Sequence, residues 1–195
     1  MNITSVNRIL ISLVALILCV QVFVRAQPKD TTSGNYAFSI EAMGGLSYNL
    51  KEDNFKSKKL DLSPSIRILW RPNHRLNFGI EITDLVVRRS DYEKNKEKLQ
   101  ARLEAVPVYL VFNMNLLSLD FTGGIGASYM KSTIEAFNDQ AISTNWHYCF
   151  NFGLGYSYYL SKSFGAGIEG KFFSLTKTDE IVGGVYLKII YKINY

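Results

Sequence analysis

Residues 145–160, "NWHYCFNFGLGYSYYL", alternate without a break. Trp146, Tyr148, Phe150, Phe152, Leu154, Tyr156 and Tyr158 take every second place, and Asn145, His147, Cys149, Asn151, Gly153, Gly155 and Ser157 fill the places between. A period of two puts the two sets on opposite faces of a β-strand. No other feature limits the fold so tightly. The large face must meet something apolar and extensive, and the other face must meet something narrow.

Seven more stretches carry the same alternation. Residues 36–49 set Tyr36, Phe38, Ile40, Ala42, Leu46 and Tyr48 against Ser39, Glu41, Met43 and Ser47. Residues 62–71 set Leu62, Pro64, Ile66, Ile68 and Trp70 against Ser63, Ser65, Arg67 and Arg71. Residues 75–83 set Leu76, Phe78, Ile80 and Ile82 against Arg75, Asn77, Glu81 and Thr83. Residues 105–114 are apolar on both faces; Val106, Val108, Leu110 and Phe112 are assigned outward, and Pro107 is awkward in a fully paired strand. Residues 117–130 alternate Leu117, Leu119, Phe121, Ile125 and Tyr129 with Ser118, Asp120, Thr122 and Ser128. Residues 164–175 oppose Phe164, Ala166, Ile168 and Phe172 to Glu169 and Lys171. The last stretch, "GVYLKIIYKINY", opposes Val185, Leu187, Ile189, Tyr191, Ile193 and Tyr195 to Tyr186, Lys188, Ile190, Lys192 and Asn194. Twelve Tyr, twelve Phe and only four Pro suit such strands.

The faces decide the fold class. The large face is nearly free of charge. The small face carries Glu41, Arg67, Glu81, Asp120, Glu169, Lys171, Lys188 and Lys192. A soluble eight-stranded barrel would have to pack the large face inside, and its lumen has no room for it. Inverting the faces resolves the volume conflict: the bulky residues meet lipid, and the small and charged ones fill the interior. The expectation is an all-β, antiparallel, up-and-down transmembrane β-barrel of eight strands spanning residues 36–195, with the eight charged residues forming a lumen network. Connections after the second, fourth and sixth strands are short ("RPNHR", "NMNLL", "LSKS"), and those after the first, third and fifth are longer or more charged. That asymmetry places both mature ends in the periplasm.

The N-terminus is of another kind. Arg8 precedes an apolar run from Ile9 to Val24, and Val24-Arg25-Ala26 offers small residues at the −3 and −1 positions of a cleavage site. Residues 1–26 read as a secretory signal peptide, with a retained anchor helix as the rival. Cys19 follows Leu18 inside the apolar run, which rules out a lipoprotein signal. Removing residues 1–26 lowers the formal charge from +5 to +3, too little to argue for nucleic acid. Residues 27–35, "QPKDTTSGN", read as a flexible periplasmic lead-in. Only Cys149 remains, so the exported chain has no internal disulfide.

Signal, strands and an aromatic-ended last strand together resemble the small bacterial outer-membrane barrels of the OmpA-, OmpX- and OmpW-like kind. In those proteins the barrel-assembly machinery reads the terminal strand, so the resemblance gives Leu187, Ile189, Tyr191, Ile193 and Tyr195 the role of an assembly signal. Tyr195 stands where Phe is commoner. "AVPVYLVFNMN", "GLGYSYYLSKSFGAGIEGKFF" and the Ala-Gln junction resemble more narrowly the PorT-type outer membrane protein beta-barrel domain of Bacteroidetes. The resemblance brings no catalytic residue with it.

Little points to chemistry. His74 lies in a turn and reads as a solvated turn residue. His147 is inward, with Ser128 on the neighbouring strand and Asn145, Cys149 and Glu135 as candidate neighbours. A lipid A-modifying hydrolase would need a base, a nucleophile and an orienting carboxylate within hydrogen-bond reach. The plain reading is a lumen histidine held by polar groups. Cys149 has no partner cysteine, so no metal or cofactor is expected. "GGIGASYM" sits within a strand and is not a phosphate loop. The charge run from Arg88 to Arg102 reads as a solvated loop, with a short helix over "YEKNKEKLQARLEA" as an alternative. Its sharper reading puts Arg88, Arg89, Lys94, Lys96 and Lys98 against lipopolysaccharide phosphates. The expected protein is a monomeric, non-enzymatic barrel with a structural, surface-interaction or assembly role. A narrow channel for small or hydrophobic solutes is the alternative. Intact mass and N-terminal sequencing of protein from outer membranes should show a chain beginning at Gln27; an uncut chain in the inner membrane would favour the anchor helix.

Overall fold

Strands that are apolar on one side and polar on the other leave a sheet edge with no tolerable place in lipid, so the sheet must close. The computed structural model describes residues 36–50, 60–72, 75–94, 97–116, 119–136, 139–176 and 180–194. The expected signal peptide and lead-in, His74, Lys96 and Tyr195 lie outside the described residues. Nine antiparallel strands are present: β1 (Ala37–Asn49), β2 (Asp61–Arg71), β3 (Leu76–Thr83), β4 (Leu85–Lys94), β5 (Glu97–Leu116), β6 (Leu119–Ala136), β7 (Asp139–Tyr159), β8 (Phe164–Leu175) and β9 (Glu180–Asn194). Each pairs with its chain neighbour except β3 with β4, and β9 pairs with β1. Because β5 pairs with both β3 and β4, the last two are one stave interrupted at Asp84, and the sheet closes as an eight-stranded barrel.

The interruption explains Pro107. The β3–β5 ladder ends at Ile82 opposite Val108, and the β4–β5 ladder begins at Leu85 opposite Ala105. Pro107 therefore lies across from the break, where its missing N–H disturbs the ladder least. Asp84 stays tied on its other side, where its N–H donates to the Pro64 carbonyl at 3.0 Å.

Every described residue assigned to the large face points outward. Tyr148, Leu187, Leu62, Trp146 and Leu110 are among the most exposed side chains of the chain, while Glu41, Arg67, Glu81, Glu169 and Lys188 are buried. This is the inverted order of a soluble barrel, and it makes the outer belt a lipid-facing surface.

Two connections differ from the expectation. Residues 88–94 and 97–102 form neither a solvated loop nor a helix: β4 and β5 run on as paired strands from Leu85–Ala105 to Lys94–Glu97. Residues 131–144 likewise continue β6 and β7, paired as far as Ala136 and Asp139. Outside lipid both faces of these strands are polar, so the alternation that marks a strand in the membrane vanishes, and cross-strand pairing overrides local propensity.

Arginine placed on a lipid-facing site near the bilayer midplane costs roughly 2–4 kcal/mol. Leu187→Arg should therefore destabilise the barrel by about that amount, while Lys188→Arg, one residue on and lumen-facing, should cost clearly less. Denaturant titration followed by the heat-modifiable gel shift compares them; equal tolerance would invert the faces.

Candidate functional site

Three of the expected lumen charges meet around a fourth, Arg67. Its Nε donates to Glu81 Oε2 at 2.7 Å, its Nη1 to Glu41 Oε2 at 3.1 Å and Glu169 Oε2 at 3.1 Å, and its Nη2 to Glu169 Oε1 at 2.6 Å. The acceptors come from β1, β3 and β8, so one guanidinium ties neighbouring staves to one across the lumen. Lys171 on β8 donates back to Glu81 at 2.7 Å. Lys188 on β9 pairs with Asp120 on β6 at 2.5 Å and with Glu169 at 3.3 Å. Arg71 joins through Glu41 at 3.0 Å and Ser39 Oγ at 2.8 Å. The connected set holds four cations, Arg67, Arg71, Lys171 and Lys188, against four carboxylates, Glu41, Glu81, Asp120 and Glu169, and is neutral.

Seven of the eight expected lumen charges are thus brought together. Lys192 is not: it is only half-buried, near the short-turn end, and makes no ion pair among the described residues. Arg71, legible as inward from the same alternation, stands in its place. A polar ladder completes the short-turn side. Asn77 donates to Asn113 at 3.0 Å, Asn113 to Thr122 at 3.1 Å, and Asn115 to Asp120 at 2.7 Å, with Ser157 also bonded to Asp120. Glycine makes room for the network. A Cβ on Gly153 would come within 2.6 Å of Glu169 Oε1, and one on Gly45 within 2.6 Å of the Tyr186 ring.

The other half of the lumen is apolar, which the contrast of small and charged residues did not anticipate. Leu85, Val87, Tyr109, Phe173, Leu175, Val182 and Tyr186 are fully buried there. Phe173 stacks with Tyr109 and Tyr186 at centroid distances of 6.2 and 6.1 Å. Lys171 Nζ lies 4.8 Å from the Tyr186 ring centroid, and Tyr186 OH hydrogen-bonds with Ser63 Oγ at 2.8 Å, joining the two halves. Among the described residues, a neutral charge cluster and an aromatic cluster thus fill the lumen.

Matches in sequence are lacking: no protein-family model matches the chain, and no curated protein does. Solved structures match in shape. A major outer membrane protein from Thermus thermophilus is 10% identical, with a TM-score of 0.55, over 81% of this chain and 99% of that one. Neisserial surface protein A is 11% identical, with a TM-score of 0.50, over 83% and 100%. Ail, the attachment invasion locus protein of Yersinia pestis, is 17% identical, with a TM-score of 0.49, over 83% and 100%. The fold is that of a small outer-membrane β-barrel.

A β-bulge at Val86–Arg88 sets which of two adjacent arginines of this barrel faces inward. After the bulge Arg88 pairs with the inward Leu103, and Arg89 with the outward Arg102. Arg88 Nη2 reaches Glu180 at 3.4 Å, and Asn49 Nδ2 bonds both Glu180 and the Val87 carbonyl, at 2.5 and 3.0 Å. Arg88 thus belongs to the mouth of the lumen rather than to the outer wall. Arg89 faces outward. Lys94 and Lys98 lie on the paired backbone near the hairpin turn. Of the expected assembly signal, Leu187, Ile189, Tyr191 and Ile193 point outward on β9.

His147 does lie directly across from Ser128. Ser128 Oγ is buried and makes no hydrogen bond among the described residues. Glu135 pairs with Gln140, seven positions along β6 and about 23 Å away at strand rise. Among the described residues no hydrogen bond or ion pair joins a carboxylate to His147 or Ser128.

Removing Arg67 would leave three carboxylates buried without their shared cation, which should cost about 3–5 kcal/mol. Arg67→Ala should lose that much in denaturant unfolding, and pairing it with Glu169→Gln should recover part of the loss.

Proposed function

We propose that this barrel is a non-enzymatic outer-membrane protein whose working part is the sheet that continues β4–β7 beyond the lipid belt. The observation that carries this reading is β7. Residues Asp139–Trp146 are exposed on both faces. Pairing with β8 begins only at Cys149–Leu175, just below the bond from Thr176 to the Tyr148 carbonyl. Among the described residues the strand therefore offers an edge with unpaired backbone groups, which suits recognition of an extended segment of another protein. The short turns and the first and last described residues, Tyr36 and Asn194, lie at the opposite end, which suits a periplasmic position, with the long strands facing outward.

The protein acts in this reading as a monomer seated by the barrel-assembly machinery, in a surface-interaction or envelope-structural role. The narrower PorT-type kinship rests on sequence segments alone and remains part of the proposal. The test has three parts. Replacing residues 132–143 by an Asn-Gly turn should leave the heat-modifiable barrel intact and abolish the protein adducts that a photo-cross-linker at Thr144, a position kept in both chains, forms in whole cells. Planar-bilayer recordings should show no steady conductance, and a large one would favour the narrow channel. His147→Ala should leave the lipid A mass spectrum unchanged, and a shift would favour the hydrolase.

A further inference from the structure

The outer wall changes character within one row of residues. Val106, Tyr129 and Trp146 are cross-strand neighbours on β5, β6 and β7, and the last two rings meet edge to face at 5.5 Å. Such aromatics sit at the headgroup level of a membrane. One position further along each strand's outward face, Glu104 pairs with Lys131, and next comes Arg102, opposite Arg89. From these residues the wall forms a groove of about 220 Å³, lined by Arg89, Arg102, Lys131, Glu104, Thr133 and Glu135 among others. Among the described lining residues three cations face two carboxylates. Arg102 is held by Glu104 at 2.6 Å, and Glu135 accepts from Gln140 at 3.1 Å.

We propose that this groove binds a phosphate group of an outer-leaflet lipid, with Arg89, Arg102 and Lys131 as its ligands. Position argues for a lipid source. The groove opens directly above the aromatic row, so a lipid with its chains along Val106 and Val108 brings its headgroup to the three cations. Chemistry argues for phosphate. Two planar guanidinium forks and an ammonium on one concave wall suit a compact anion with several acceptor oxygens. Glu104 keeps Arg102 extended along the wall and competes with the ligand for it.

The bulge is what supplies Arg89. Were Val87 paired with Leu103 in regular register, Arg88 would fall opposite Arg102 and face outward, and the Glu180 contact at the mouth would be lost. The proposal rests on the outward orientation of the long-strand end only for the leaflet. Binding in detergent depends neither on orientation nor on the role of the β7 edge.

The test uses the mature chain refolded in non-ionic detergent, with native mass spectrometry and bis-phosphorylated lipid A as probe. Wild type should bind it, and binding should fall at least tenfold or so with dephosphorylated lipid A or in the double variant Arg89→Gln, Lys131→Gln, as expected for lost charge-assisted hydrogen bonds. Glu104→Gln should bind more tightly, because Arg102 is released and a repelling charge removed. Lys162→Gln, at the short-turn end, should bind as wild type. The heat-modifiable gel shift confirms that each variant is folded. Equal binding by wild type and the double variant overturns the proposal, as does equal loss in Lys162→Gln. Competition by inorganic phosphate at the same concentration as lipid A would make this a free-phosphate site and also overturn it.

Discussion

A guanidinium withdrawn from water costs several kcal/mol unless its N–H groups find acceptors and its charge finds a partner. Inside this barrel Arg67 meets both needs through Glu41, Glu81 and Glu169, carried on three different strands. Those carboxylates are themselves shared, Glu81 with Lys171, Glu169 with Lys188, and Glu41 with Arg71. The remaining cross-links follow from this arrangement. Asp120 answers Lys188, and the asparagine ladder saturates the polar groups beside Asp120. Stave register is held by the network as well as by the backbone ladders, since a slip of one residue would turn each of these charges into lipid.

The neutrality of the cluster bears on function. Four cations and four carboxylates cancel, and the Tyr109–Phe173–Tyr186 stack closes the lumen on the other side. In the proposed reading, what the molecule offers to partners lies outside the lumen. Its chemistry is concentrated where strands outrun the membrane, on the polar wall of β4–β7 and on the edge of β7. The β-bulge at Val86–Arg88 divides adjacent arginines between the two regions, one closing the mouth through Glu180 and one facing the outer wall.

Residues that alternate inside lipid were readable one by one. Phe150, Phe152 and Leu154 against Asn151, Gly153 and Gly155 state the strand, its faces and the inversion of those faces, because hydrocarbon tolerates no exception. The inward position of Arg71 was equally visible, although its membership of the network was not. Residues 88–102 and 131–144 were not readable as strands. In water a strand with two polar faces has the composition of a loop, and Glu and Lys in number suggest a helix as readily.

By itself, then, the sequence determined the fold class, the outward and inward sets, and the fact that charges must share the lumen, since each follows from the period of two and from the cost of burying charge or exposing oil. Only the tertiary structure decided which charges pair, because partners such as Arg67 and Glu169, or Lys188 and Asp120, lie far apart in sequence and meet only when the sheet curls across a narrow lumen. It also decided that one stave breaks opposite Pro107, that an extra residue at Val87 turns Arg88 inward and Arg89 outward, and that four strands rise beyond the outer aromatic row. Those features depend on register between strands, which no single strand contains.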